Sequence, residues 1–477
     1  MEPISRRSAL VLGGVGAAGV LVGAAGLISG WPSTFEPAAG GEFFEPEALR
    51  SAGGVLHTRL TAAALPVRIA GRSATALSYN GGIPGPTLFV RQGDSLRVSL
   101  ENQLNAVTNL HVHGLHVSPE GTSDNVFLAI EPDATFDYKY ELPQNHPPGV
   151  YWYHPHHHGN VAEQVFGGLY GAIIVEDVDP IPVARERVLV ISDIDVDASG
   201  QIPRIFPMDR MLGREGALVL VNGQLAPRVT AEDSVRERWR VVNACTSRYL
   251  KLRLDGQLMH LLGIDSGRFA VPQEVTEVFL TPGNRADLLI TMVAGRSILS
   301  TLPVNRGDAG MMGASTRASN VTLLSLDVTD TSTTGSSLAI PEQAPQRDLR
   351  DETVTGHREL TFAMGMGMGG GMMSFTIDGK PFDHTRVDTV VEAGAIEEWT
   401  LTNISTMDHP IHLHVWPMQI IDPTRNGPPE WQDVVNVPAL SSVTVRIPFE
   451  GFTGTTVYHC HILDHEDLGM MGIITVK

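Results

Sequence analysis

The sequence predicts an all-β protein built from three Greek-key β-sandwich domains, and three observations lead there. The chain has 477 residues, more than one hydrophobic core organises. Short apolar–polar alternations bounded by Gly, Pro, Asn and Asp recur along its whole length, while helical periodicity is scarce. One unit also appears three times. Asn80-Gly81, Asn222-Gly223 and Asp378-Gly379 are turn signals, each followed by a β-rich stretch that ends in asparagine. Those stretches are 95–102, 236–243 with Trp239, and 397–403 with Trp399. Nine residues beyond the three asparagines stand His111, Leu252 and His412, so only the middle copy lacks histidine there.

Taken in order, residues 1–41 read as an address. Ser5-Arg6-Arg7-Ser8-Ala9-Leu10 precedes an apolar run over 11–28, the pattern of a twin-arginine signal. The run is about long enough to span a bilayer, so a membrane anchor is the competing reading. With a signal, the protein would be carried by the Tat export machinery to a periplasmic, cell-surface or extracellular site. The first sandwich is placed at 42–176 and the second at 183–328. Residues 329–355 are placed as a linker, because 330–351 is rich in Thr, Ser, Pro and Gln and reads as exposed. The third sandwich occupies 356–477.

The net charge of −19 argues against nucleic acid, whose phosphates would repel this surface. With two cysteines, one of them in the metal motif below, no disulfide framework exists, and Cys245 reads as a small buried hydrophobe. A monomer is expected.

The chemistry concentrates in His459-Cys460-His461-Ile462-Leu463-Asp464-His465-Glu466-Asp467-Leu468-Gly469-Met470. Cysteine, histidine and a weak axial methionine make a blue-copper electron-transfer site. Alternate side chains of a strand point to opposite faces, so His459 and His461 would face away from Cys460, toward a different metal. Three further clusters follow the same logic: His111-Val112-His113-Gly114, Tyr153-His154-Pro155-His156, and His409-Pro410-Ile411-His412-Leu413-His414. Each holds a His-x-His pair, which projects two imidazoles from one face of a strand. Ten of the eighteen histidines sit in these four segments, a density that ordinary core or surface histidines do not produce.

The four motifs, in this order, resemble those of the multicopper oxidases, from about Ala76 to the C-terminus. The resemblance implies cupredoxin domains and four copper ions. By it, His409, Cys460, His465 and Met470 look like the type 1 ligands, and His111 and His412 the type 2 ligands. His113, His154, His156, His414, His459 and His461 look like the ligands of the type 3 pair. His156 and His158 form an alternative pair, but the lead-in Trp152-Tyr153 favours His154 and His156. Because ligands come from the first and last thirds, the cluster should lie between those domains, with the middle domain as a spacer. The resemblance further implies reduction of dioxygen to water, with Asp124 and Glu466 as candidates for supplying protons.

The electron donor is addressed by one feature, the run Met364-Gly365-Met366-Gly367-Met368-Gly369-Gly370-Gly371-Met372-Met373. Thioethers are soft ligands suited to Cu(I). Met364, Met366, Met368, Met372 and Met373 are therefore candidates for capturing Cu(I), as is Met407, and Met311-Met312 could add to them. The expected function is oxidation of Cu(I), in copper tolerance, with laccase-like oxidation of phenols as the alternative donor chemistry. A non-enzymatic copper binder is the contrasting class, and the filled ligand positions speak against it.

Overall fold

The three repeat turns close in the same way. Asn80, Asn222 and Asp378 take left-handed backbone conformations (φ 54°, 51° and 52°), followed by Gly81, Gly223 and Gly379 (φ 76°, 73° and 72°). Two successive positive φ values make a tight hairpin turn whose twist matches the strands it joins. The side-chain Oδ1 of each first residue accepts a backbone N–H from the neighbouring strand, from Thr61, Val190 and Thr361 respectively, at 2.8 Å in every case. In each domain the same neighbouring strand then pairs in parallel with the asparagine-terminated stretch: Val55–Ile69 with Ser95–Gln103, Arg185–Ile194 with Arg236–Asn243, and Gly356–Met366 with Ile396–Asn403.

The terminal asparagines explain why the unit recurs. Asn102, Asn243 and Asn403 are all buried. Each Nδ2 donates to two carbonyls: Ala106 and Ile130, Arg248 and Leu280, Met407 and Val437. Each Oδ1 accepts an N–H two residues on, from Leu104, Cys245 and Ser405. One side chain thus satisfies the buried backbone of the loop that leads to the next strand. That strand is His111–His113 in the first domain, Leu250–Leu254 in the second and His409–Leu413 in the third.

These observations come from a computed structural model describing residues 35–307, 319–330, 343–366, 373–424 and 427–477. Arg6-Arg7, Met311, Met312, Met368 and Met372 lie outside the described residues, as do the side chains of Met366 and Met373. Among the described residues there are six sheets, two to a domain, which is the expected all-β architecture. No described helix is long and apolar enough to cross a membrane.

The histidine-bearing sheets are the second sheet of the first domain and the second of the last. The first runs Ala48–Arg50, Thr87–Val90, Gly171–Val175, Gly149–His154, His111–His113. The last runs Thr389–Val391, Met471–Val476, Gly454–Cys460, His409–Leu413, Val434–Val437. Register places His111 opposite His154, His412 opposite His459, and Ile411 opposite Cys460. The domains are locked together at the short helix Val161–Phe166. Its own N-cap makes no side-chain bond. Asp467 of the last domain substitutes, accepting from Gly159, Val161 and Ala162 N–H at 2.7, 3.2 and 2.9 Å.

The linker expectation needs correction over its second half. From Gln343 onward the chain is docked. Gln343 N donates to Ala270 O of the middle domain, and Leu349 is fully buried against Ile396 and Trp431 of the last. Gln419 of the last domain receives it: its Oε1 accepts from Leu349 N at 2.6 Å and its Nε2 donates to Asp348 at 2.8 Å. Cys245 is buried, as expected.

Candidate metal centres

Two groups of donors form, about one short segment. In the first, Cys460 Sγ lies 3.4 Å from His409 Nδ1 and 3.8 Å from His465 Nδ1. The outer nitrogens are spoken for: His409 Nε2 meets Ser405 Oγ at 2.7 Å, and His465 Nε2 donates to the Met211 carbonyl at 3.1 Å. Met470 is fully buried in the same core, and its carbonyl accepts from Cys460 N at 3.0 Å. Burial pushes the Cys460 thiol well up, so a nearby cation is needed to hold the thiolate.

The second group lies between the first and last domains. His111 stacks on His414 with centroids 4.0 Å apart, and His113 on His412 at 3.9 Å. His156 Nε2 and His414 Nε2 stand 3.0 and 3.2 Å from His459 Nε2. His461 meets His113 edge to face at 4.9 Å. His459 and His461 do serve a different site from Cys460, as alternation along the segment requires. His154 and His156 are buried and inside the group, whereas His157 and His158 are half-buried and outside it.

Five of the rings are oriented by spending one nitrogen on a fixed acceptor. His111 Nδ1 faces Asp124 at 2.9 Å, His113 Nε2 faces Asp433 Oδ1 at 2.9 Å, and His412 Nδ1 donates to Asp433 O at 2.7 Å. His154 Nδ1 donates to Pro155 O and His459 Nδ1 to Cys460 O. The opposite nitrogens of His111, His113, His154 and His412 are buried without a partner, as are both nitrogens of His461. Such atoms are costly unless something accepts their lone pairs. Burial first, then repulsion from neighbouring rings, holds His111, His156, His414 and His461 well below the usual imidazole range. Neutral rings with inward lone pairs and a cysteine fit copper.

Two carboxyl groups border this group. Asp124 is buried with His111, takes Val112 N–H at 3.0 Å, and stands 3.9 Å from His414 Nδ1. Desolvation pushes it up to about 8, partly offset by the Val112 N–H. Glu466 is fully buried, 3.1 Å from His459 Nδ1 and 3.6 Å from His156 Nε2, with neither oxygen in a hydrogen bond.

Three family models described as multicopper oxidase match residues 62–180, 201–297 and 348–477. The solved multicopper oxidase of Campylobacter jejuni, titled a metallo-oxidase, is 30% identical; the match covers 93% of this chain and 98% of that one, with a TM-score of 0.80. The chain belongs to the multicopper oxidase family. It is an oxidoreductase with copper as cofactor, dioxygen as acceptor and a reducing substrate as donor, on three cupredoxin-like domains. Multicopper oxidase mco of Staphylococcus aureus is 27% identical over 420 residues, covering 85% of each chain. Cell division protein FtsP of Pectobacterium atrosepticum is also 27% identical, over 428 residues, covering 85% of this chain and 86% of that one. Identity of this size therefore spans different functions, and the complete donor set of this oxidase carries the weight.

Several residues at the centres were not foreseen, and two expectations are overturned. The middle domain of the oxidase is no mere spacer. Its helix Pro207–Leu212 supplies the carbonyl that holds His465, and its Arg214 grips Asp464 through a fully buried fork at 2.7 to 3.1 Å. Its Arg285 binds Asp433 at 2.5 and 2.7 Å. A charged residue opening the apolar stretch Arg285–Thr291 was the one available signal. Met407 is fully buried, its carbonyl tied to Asn403. It offers a donor ion in solvent no access, which corrects the expectation that it captures Cu(I).

Replacing Cys460 by Ser exchanges a soft ligand for a hard one. Cys460→Ser is expected to lose the blue absorption and about one copper per chain while circular dichroism stays that of an all-β protein. A blue, fully active variant would contradict the site.

Proposed function

We propose that the oxidase takes its electrons from Cu(I) at a type 1 centre held by His409, Cys460, His465 and Met470. His111 and His412 hold a type 2 copper, and His113, His154, His156, His414, His459 and His461 a type 3 pair. Bound copper supplies one-electron oxidation at the first centre and dioxygen reduction at the second. Cys460 would join the two by covalent bonds through His459 and His461, and the thioether of Met470 would tune the first.

The observation that favours Cu(I) is the ring of Phe375 stacked on His465 at 4.5 Å. Phe375 belongs to the hairpin of Gly356–Met366 and Met373–Ile377, whose ends pair Met366 with Met373. The methionine-rich connection therefore starts from a hairpin anchored on a type 1 ligand. Met364 packs half-buried on the core that holds Cys460. Met208, in the helix that covers His465 Nε2, is 46% exposed and adds a soft donor on the solvent side. A phenol would need an open edge of His465, and that edge is taken by the Met211 carbonyl. The similar Campylobacter jejuni protein, a metallo-oxidase, supports the same donor class. A role in copper tolerance follows, since Cu(I) is the form that thioethers and thiolates hold.

Protons come from two buried carboxyl groups. Glu466 would relay protons beside His459 and His156, where it is fully buried with neither oxygen in a hydrogen bond. Asp124 holds a proton between His111 and His414. The protein reaches its site of action through Arg6-Arg7 and the twin-arginine route.

Removing residues 367–372 by a short Gly-Ser bridge should lower Cu(I) oxidation at least tenfold and leave phenol oxidation equal or higher. Equal loss of both, in steady-state oxygen uptake, would make the segment structural and favour a laccase-like donor. Glu466→Gln keeps the volume but removes the ionisable carboxyl group. It should slow turnover by roughly 10²-fold with the blue colour intact, the usual size for a lost proton donor; undiminished oxygen consumption would exclude Glu466. Arg6→Lys with Arg7→Lys should leave the precursor in the cytoplasm on cell fractionation, and normal export would point to another route or an anchor.

A further inference from the structure

We infer that Arg285 of the middle domain is a positioning residue for the trinuclear site, acting through Asp433 on His113 and His412. This rests on the ligand assignment proposed above. Arg285 is fully buried and touches all three domains. Its Nη1 and Nη2 bind the two oxygens of Asp433 in the last domain at 2.5 and 2.7 Å. Its Nε donates to Val150 O of the first domain at 3.0 Å, and its Nη1 lies 3.1 Å from Asp265 of its own domain. A planar fork holding both carboxylate oxygens fixes the plane of that carboxylate. Asp433 Oδ1 is thereby aimed at His113 Nε2, at 2.9 Å, while Asp433 O accepts from His412 Nδ1, at 2.7 Å. These two bonds decide that His113 Nδ1 and His412 Nε2, both buried and unpartnered, face the metal site.

The guanidinium is closely packed by its surroundings. A Cβ on Gly114 would come within 2.3 Å of Arg285 Nη2 and 2.7 Å of Asp433 Oδ2, so the glycine that follows His113 is required by the arginine. The same middle-domain turn presses on a third ligand. A Cβ on Gly283 would sit 2.9 Å from His461 Nε2, and Gly283 has φ +88°. Asn284 completes the clamp, donating to Asp265 Oδ2 at 2.9 Å and to Val434 O, next to Asp433, at 3.0 Å. The turn 283–285 therefore reaches His113, His412 and His461, and none of the type 1 ligands.

The test loads full-length wild type, Arg285→Gln, Arg285→Lys and Asp433→Asn with copper, then measures copper per chain, the blue absorption and the type 2 electron paramagnetic resonance signal. Arg238→Gln is the control, since Arg238 is equally buried in the middle domain but pairs with Asp177 and Asp287, away from the histidines. Arg285→Gln and Asp433→Asn should keep the blue centre and bind the other coppers ten- to a hundredfold more weakly, the usual effect of losing such an orienting partner. The Michaelis constant for the donor should hold while kcat falls. Arg285→Lys, with the charge but no fork, should recover part of the loss, and Arg238→Gln none of the defect. If Arg285→Gln does not fold, Asp433→Asn and Arg285→Lys carry the test. Full trinuclear occupancy in those variants, or equal loss of the blue centre, would overturn the inference. Wild type without a blue centre would instead overturn the ligand assignment on which it rests.

Discussion

The dry interface between the first and last domains sets the terms for everything else in this oxidase. Ring centroids there come as close as 3.9 Å. Two charged imidazoles at about 4 Å would repel by roughly 4 kcal/mol even at an effective dielectric of 20. Burial adds a further penalty for each charge. The stacked His113 and His412 are therefore held neutral, and a neutral imidazole has one donor nitrogen and one acceptor. For His111, His113, His154 and His412 the donor is placed against a carbonyl or carboxylate, and the acceptor is left without a protein partner. The interface is thus poor packing by itself and complete only with cations, which couples metal loading to the way the domains fit.

That requirement explains why the middle domain is drawn in. Carboxylates that orient buried histidines need partners of their own, or their charge is uncompensated. Arg285 compensates Asp433 and Asp265, and Arg214 compensates Asp464 one residue before His465. Breaking one partner of such a buried pair costs about 3–5 kcal/mol, because the charge left behind has no water. The middle sandwich has no histidine in its own repeat position, yet it supplies the cations and one carbonyl on which both centres lean. Its contribution is electrostatic and positional rather than coordinating.

Much of this was legible from residues alone where the physics is local. A positive-φ turn asks for Asn, Asp or Gly, so the three repeat turns show in sequence. A strand alternates faces, so His459-Cys460-His461 announces two sites. Soft and borderline ligands at fixed spacing announce copper. The lead-in Trp152-Tyr153 separated His154 and His156 from His157 and His158, and the burial of the first pair agrees. The segment from Gln343 to Asp351 misled, because Gln and Asp read as solvent-loving until Gln419 and the Trp431 face are brought up to receive them.

The sequence by itself determined the repeat, the all-β class, the donor atoms and their grouping along the chain, because each depends on neighbours within a dozen residues. Only the tertiary structure decided which carboxylates orient which rings. Arg285, Asp433 and His113 are separated by 148 and 320 residues, and Met211 and His465 by 254. Nothing local in an arginine or a carbonyl encodes such a partner. Their roles arise from desolvation, which exists only once three sandwiches have closed over the same few side chains.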